Sequence, residues 1–219
     1  GGIGTTISTA NANSFNNLTI AATGDVTTST VVDVHVANIF TVTGAFTVAA
    51  GHKLTLLTAT IGGSLTATAT TGSDAIISFE DAGVTNPSLD VVGTLVLTGT
   101  GTAERNAKIL GDNDSRIDVN ITGTFSGTNF TFEYPDEGGL HINGGPEPTI
   151  EAGTFDNPIN GNANCLLNLS DQANLPATIR NCIFNTTASG DVDELNGSRN
   201  VKSNGNTGVV TFLDYSGTL

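Results

Sequence analysis

The chain has no Trp, no Met and only two Tyr among its 219 residues, and 7 Lys and Arg stand against 21 Asp and Glu. The resulting net charge of −14 argues against nucleic acid as a partner, because phosphate backbones are bound through clustered Lys and Arg. It argues in the same way against anionic membrane surfaces. Hard cations such as Ca²⁺ remain candidate ligands.

Targeting signals are also missing from the sequence. No apolar run reaches the length of a membrane span, and the first residues do not have the charged-then-apolar pattern of a signal peptide. Because the sequence begins with Gly1 and contains no Met, we expect a processed piece of a longer protein, so a secreted or cell-surface location stays open. Cys165 and Cys182 predict either one disulfide in an oxidising compartment or two buried thiols.

Five short segments share one alternating pattern, in which Gly stands two residues before a large apolar residue. The apolar residues of these segments are Phe46, Leu65, Leu95, Phe125 and Phe155, and Phe184 continues the series. Their separations are 19, 30, 30, 30 and 29 residues. A fixed period of this size is typical of a repeat array in which each unit stacks on the last.

Within each segment, inward and outward positions alternate as in a strand with one buried face. β-branched residues and Gly dominate, and no long stretch has helical spacing. Because the unit returns in the same chain direction, equivalent strands are expected to pair in parallel. The sequence therefore predicts an all-β protein.

The pattern V-x-G-T-L of residues 91–95 resembles that of the right-handed parallel β-helix family, the pectin-lyase-like fold. The resemblance implies one β-solenoid domain over residues 1–219, with coils of about 19 to 30 residues. Coils with short loops are expected over residues 1–70 and coils with longer loops over residues 71–219. The apolar residues at equivalent positions, Leu65, Leu95, Phe125, Phe155 and Phe184, are expected to form one ladder inside the coil. In the fifth segment Glu151 stands where the others have Val or Ile, so we expect a register shift that turns Ile150 inward.

The resembled family includes polysaccharide lyases, which hold Ca²⁺ with carboxylates and use an Arg or Lys base. Asp112 and Asp114 beside Arg116, and Asp191 and Asp193 further on, are the candidate calcium ligands, although such clusters are more often solvated turns. No catalytic residue and no other cofactor is assigned. Convergence of Asp112, Asp114 and Arg116 with Asp136, Glu137 and His141 would favour an enzyme. The spacing of the three His does not suggest a transition-metal site.

The outward positions of the first four segments form a hydroxyl-rich set. They are Thr43, Ala45 and Thr47, then Gly62, Ser64 and Thr66, then Val92, Thr94 and Val96, then Thr122, Thr124 and Ser126. Such a face could order water against ice or bind a glycan. The simpler interpretation is the preference of Thr for exposed strands.

Three functions follow as hypotheses. The first is a non-catalytic extracellular β-helix with a structural or adhesive role, as a stalk, surface layer or filament, with polysaccharide, calcium or neighbouring copies as candidate partners. The alternative is a polysaccharide lyase-like enzyme or its inactive relative, and a further alternative is an ice-binding Thr face. Fold alone does not decide among them.

If the acidic clusters bind calcium, titration of Ca²⁺ into the metal-free protein should release or absorb heat and raise the melting temperature. Replacement of Asp112, Asp114, Asp191 and Asp193 together by Asn should then remove the response, whereas Asp90→Asn should keep it. A titration with neither heat nor a change in melting temperature would contradict a calcium site.

Overall fold

The computed structural model describes residues 5–7, 13–21, 25–28, 32–80, 87–101, 103–111, 116–157, 165–169, 178–185, 199–202, 211–214 and 216–217. Within these ranges the regular structure consists of strands and no helix, as the scarcity of helical spacing predicted. No helix in the described ranges has the length and apolarity needed to cross a membrane.

The strands are short, and they follow one another closely along the chain. In chain order they are β1 (Thr5–Ile7), β2 (Asn13–Ile20), β3 (Asp25–Thr28), β4 (Val34–Val42), β5 (Ala45–Val48), β6 (His52–Ile61), β7 (Ser64–Thr68), β8 (Ala75–Phe79), β9 (Ser88–Val91), β10 (Thr94–Thr98), β11 (Ala107–Leu110), β12 (Ile117–Ile121), β13 (Thr124–Thr128), β14 (Phe130–Glu133), β15 (Pro135–Ile142), β16 (Thr149–Glu151), β17 (Thr154–Asp156), β18 (Cys165–Asn168), β19 (Thr178–Arg180), β20 (Ile183–Phe184), β21 (Arg199–Lys202), β22 (Thr211–Leu213) and β23 (Ser216–Gly217).

All pairings between these strands are parallel, and they form two sheets that nearly close round a common axis. Sheet 1 has nine strands in the order β1-β3-β5-β7-β10-β13-β16-β19-β22. Sheet 2 has fourteen strands, and β6 is its branch point. Each strand thus pairs with the corresponding strand of the next repeat, as the constant period predicted.

The branch at β6 explains why the period grows from 19 to 30 residues. The first half of β6 pairs with β8, and its second half pairs with β9. One long strand of an early repeat is therefore matched by two short strands later, and residues 80–87 connect them. From β7 onward a repeat has three strands instead of two.

The predicted inward ladder is confirmed for the first four segments. Phe46, Leu65, Leu95 and Phe125 occupy matching positions in sheet 1, and each is at most 1% exposed. Burying one such side chain contributes on the order of 1.5 to 3 kcal/mol.

The same ladder does not continue to Phe155 and Phe184, so that part of the prediction is wrong. Phe155 lies in sheet 2 opposite Phe132, and Phe184 follows it there. The reason is that β16 already occupies sheet 1, and Ala152, with a φ of 50°, turns the chain into sheet 2 before the G-T-F sequence begins. The predicted register shift is confirmed, because Ile150 is 2% exposed and Glu151 is exposed.

The recurrent glycine of the pattern stands at one corner, where successive repeats touch through their backbones. A Cβ atom on Gly63 would overlap the carbonyl oxygen of Gly44, and one on Gly93 would overlap that of Gly63. The same relation joins Gly123 to Gly93 and Gly145 to Gly123. These carbonyls also accept hydrogen bonds from the following repeat, as in Thr94 N–H to Gly63 O at 2.7 Å, so they cannot move aside.

A cluster of phenylalanine rings fills part of the core of the later repeats. The rings of Phe125 and Phe130 lie 5.8 Å apart, and those of Phe155 and Phe184 stack at 5.0 Å. These rings need space that glycine supplies, since a Cβ on Gly127 or Gly153 would lie 2.6 Å from the Phe130 ring. Such overpacking costs about 1 to 3 kcal/mol.

We expect Gly63→Ala to destabilise the protein by about 1 to 3 kcal/mol, because the new methyl group meets immovable backbone. Its neighbour Gly62 is the matched control, since a Cβ there would lie 3.7 Å from the Val42 carbonyl oxygen. Gly62→Ala should leave the free energy of unfolding within about 0.5 kcal/mol of the parent, or raise it. Urea unfolding measures both variants, and equal effects would contradict the role of the corner.

Candidate functional site

The four predicted calcium ligands, Asp112, Asp114, Asp191 and Asp193, lie outside the described residues. Among the residues that the structure does describe, no group of three or more His, Cys, Asp and Glu side chains could hold a metal ion. The calcium hypothesis therefore stays a prediction.

The structure brings three other members of the predicted cluster together on the outer side of sheet 2. Asp136, Glu137 and His141 belong to β15, and each of them interacts electrostatically with Asp118 of β12, as does Asp90 of β9. These five residues are called the acidic face below. The enzyme hypothesis required Asp136, Glu137 and His141 to converge with Asp112, Asp114 and Arg116. Because Asp112 and Asp114 lie outside the described residues, that hypothesis stays a prediction.

The acidic face follows from the register of three adjacent strands. Asp90, Asn120 and His141 occupy matching positions in β9, β12 and β15. Asn120 bridges its neighbours, because its Nδ2 donates to Asp90 Oδ1 at 3.5 Å and its Oδ1 accepts from Asn143 Nδ2 at 2.7 Å. Residues far apart in sequence thus form one row across the strands.

A bulge in β15 supplies the remaining carboxylates. Ile117 pairs with Pro135 and Val119 pairs with Leu140, so residues 136–139 lie opposite a single residue of β12. Asp136 stabilises the bulge, since its Oδ1 accepts from the Gly138 N–H at 2.8 Å.

Burial and neighbouring charges change the protonation of this face. Partial burial raises the pKa of Asp136 to about 6, and the carboxylates of Asp118 and Glu137 act in the same direction. The pKa of Asp118 is also raised, first by burial and then by Asp90, whereas His141 lowers it. More than a third of Asp118 is nevertheless exposed, so solvent screening weakens this shift in its pKa.

Arg116, the basic member of the predicted cluster, takes part in a different contact. Its guanidinium lies 5.3 Å from the centre of the Tyr134 ring and donates to the carbonyl oxygen of Asn157. Burial lowers the pKa of Arg116, and the guanidinium is held at a corner by stacking and by backbone. This arrangement does not aim Arg116 as a base at the acidic face.

A buried arginine was not singled out by the sequence. Arg105 is 8% exposed, and its Nη1 and Nη2 donate to Thr154 Oγ1 at 2.8 Å and to the Asn181 carbonyl oxygen at 2.6 Å. Its own carbonyl oxygen accepts from Thr131 Oγ1 at 2.8 Å. Arg105 thus connects several successive repeats. The only feature of the sequence that could have indicated this role was the presence of an Arg in a chain with few cations.

The predicted hydroxyl-rich face has the expected register on sheet 1. Ser64, Thr94 and Thr124 match across three strands, and Thr47, Thr66, Val96 and Ser126 form the parallel row. These outward positions are uncharged in a chain of net charge −14. The ice-binding hypothesis is untested by this geometry and stays a prediction.

The two cysteines are free thiols, and both are buried. Burial raises the pKa of Cys182 to about 11, so its thiolate is scarce at neutral pH and its reactivity is low. Of the two alternatives drawn from the sequence, buried thiols describe this structure.

Comparison with known proteins adds no family. No protein-family model, no curated protein and no solved structure matches the chain.

We expect Asp136→Asn to stabilise the protein at pH 7 to 8 by less than about 1 kcal/mol, since the carboxylate is partly solvated. The folded pKa lies above the unfolded value, so the folded state binds the proton more tightly and stability falls as pH rises from about 4 to about 6. Asn keeps the acceptor for Gly138 and does not titrate. Near pH 4 the gain should disappear.

Thermal unfolding between pH 4 and pH 8 measures this difference. Asp214→Asn is the matched control, because Asp214 is exposed and lies in a different strand region. A gain that is independent of pH, or equal in both variants, would contradict a raised pKa at Asp136.

Proposed function

We propose that the chain folds as a right-handed parallel β-helix and acts as a non-catalytic structural or adhesive segment, secreted or at a cell surface. The parallel pairing of corresponding strands in successive repeats supports this fold. The alternative of a closed parallel barrel would place the first and last strands of sheet 1 side by side. In the observed order, β1 and β22 stand at opposite edges.

The single observation that carries the proposed role is the uninterrupted sheet 1. Nine strands in one parallel order, at about 4.8 Å each, make a stack about 40 Å long. Because each repeat is hydrogen-bonded to the next along the whole axis, the stack resists bending and keeps its ends at a fixed distance. A fixed distance is what a stalk or surface layer has to provide.

A second candidate, a polysaccharide-active enzyme, is favoured by the acidic face. A carboxyl group with a pKa of about 6 at Asp136 suits a general acid near neutral pH. Against it, the Arg116 guanidinium contacts the Tyr134 ring and the Asn157 carbonyl oxygen, which does not favour its use as the base of a lyase.

Two measurements together test the proposal. Incubation with acidic and neutral polysaccharides should yield no unsaturated ends and no new reducing ends. An antibody against the chain should label intact cells of the organism that produces it, and protease added outside should remove the label.

The controls separate the two candidates. Turnover that is present in the parent and lost in Asp136→Asn or His141→Ala would replace the structural role with the enzymatic one. Label that appears only after the cells are broken would contradict the surface location. Asp214→Asn controls for general effects of removing a carboxylate.

A further inference from the structure

An open groove of about 490 Å³ lies on the outer surface of sheet 2, where the chain enters β4, β6 and β8. Its lining includes Asp33, His52, Lys53, Ser73, Asp74 and Ile76. No sequence pattern marked it, because its members come from three separate stretches, at residue 33, residues 51–53 and residues 72–76, which meet only when the repeats stack.

Two glycines keep the mouth of the groove open. Gly51 and Gly72 have φ values of 82° and 72°, and no atom lies within 4 Å of the position that a Cβ would take at either. Hydrogen bonds hold both turns in place. Gly51 N–H donates to the Asp74 carbonyl oxygen at 2.6 Å, and Gly72 N–H donates to Glu104 Oε2 at 3.0 Å. The opening is therefore built into the backbone.

The floor of the groove is an apolar side chain between two ammonium groups. Ile76 pairs with Lys53 on one side and with Lys108 on the other, so the three side chains form one outward row. Ile76 is half-buried and offers a small apolar surface to a ligand.

The charges in and around the groove are matched by opposite charges. Lys108 Nζ lies 2.5 Å from Asp74 Oδ2, and Lys53 Nζ lies 3.7 Å from Glu80 Oε1. Asp33 Oδ1 accepts from the Lys53 N–H at 2.8 Å and lies 3.7 Å from Nδ1 of His52. A charged ligand would have to displace one of these partners, whereas an uncharged ligand would not.

The carboxylates nevertheless keep acceptor capacity toward solvent. The Asp33 side chain is 66% exposed and that of Asp74 is 39% exposed, and each carboxylate can accept several hydrogen bonds. Lys53 and Ser73 add donors beside them. Hydrogen bonds to ionised groups are the stronger ones.

We propose that this groove binds one uncharged sugar unit, with its hydroxyl groups donating to Asp33 and Asp74 and a C–H face resting on Ile76. Lys53 and Ser73 donate to the remaining sugar oxygens. The size agrees with such a ligand, because small-molecule sites begin at about 300 Å³. Binding in solution does not require the surface location proposed above, so either proposal can fail without the other.

The test titrates the full chain with the methyl glycosides of glucose, galactose and mannose, with N-acetylglucosamine, and with galacturonate, followed by calorimetry and by NMR of the protein. We expect saturable binding of at least one uncharged sugar and weaker binding of galacturonate. Ile76→Arg should fill the groove and weaken binding at least tenfold. Asp33→Asn, which keeps the acceptor for Lys53 N–H, should weaken it severalfold.

Val92→Arg is the matched control, because Val92 is 66% exposed and is not among the lining residues. It should bind as the parent does, and thermal unfolding should show that Ile76→Arg is folded. The proposal is overturned if no uncharged sugar binds, if Ile76→Arg binds as the parent does, if both Arg variants lose binding equally, or if galacturonate binds best.

Discussion

Close backbone contact between successive repeats is the constraint on which the rest of the molecule depends. Parallel strands lie about 4.8 Å apart, so every atom of one repeat must fit within that height. At the corner of Gly44, Gly63 and Gly93 the fit leaves no room for a Cβ. Side chains must then point either into the core or outward, which arranges them in straight rows and places distant residues side by side.

The sequence could predict those parts of the fold that depend on one repeat resembling the next. The row from Phe46 to Phe125 was predictable, because each of its members follows the same local pattern in the same strand. Phe155 was not, since the local pattern G-T-F recurs at a different corner. A short pattern reports a turn followed by a strand, and it does not report which sheet the strand joins.

The candidate sites were predictable to a smaller degree for a related reason. Asp136, Glu137 and His141 are close in sequence and remain close in space. The position of Asp118 beside these residues depends on strand pairing. The bulge depends on Gly139, whose φ is 66°, and the neighbouring sequence did not indicate this conformation. The contact of Arg116 with Tyr134 was not predicted, because it forms only when the corner is folded.

Arg105 couples the stability of repeats that are not direct neighbours, which the strand pairing alone does not do. In a stack of repeats, each unit normally senses only its immediate neighbours, and stability adds up from neighbour to neighbour. The guanidinium of Arg105 reaches Thr154 and Asn181, whereas its backbone holds Thr131. If the repeat that contains Asn181 unfolds, the buried guanidinium of Arg105 loses a hydrogen-bond partner. Unfolding at one end therefore destabilises a repeat in the middle of the molecule.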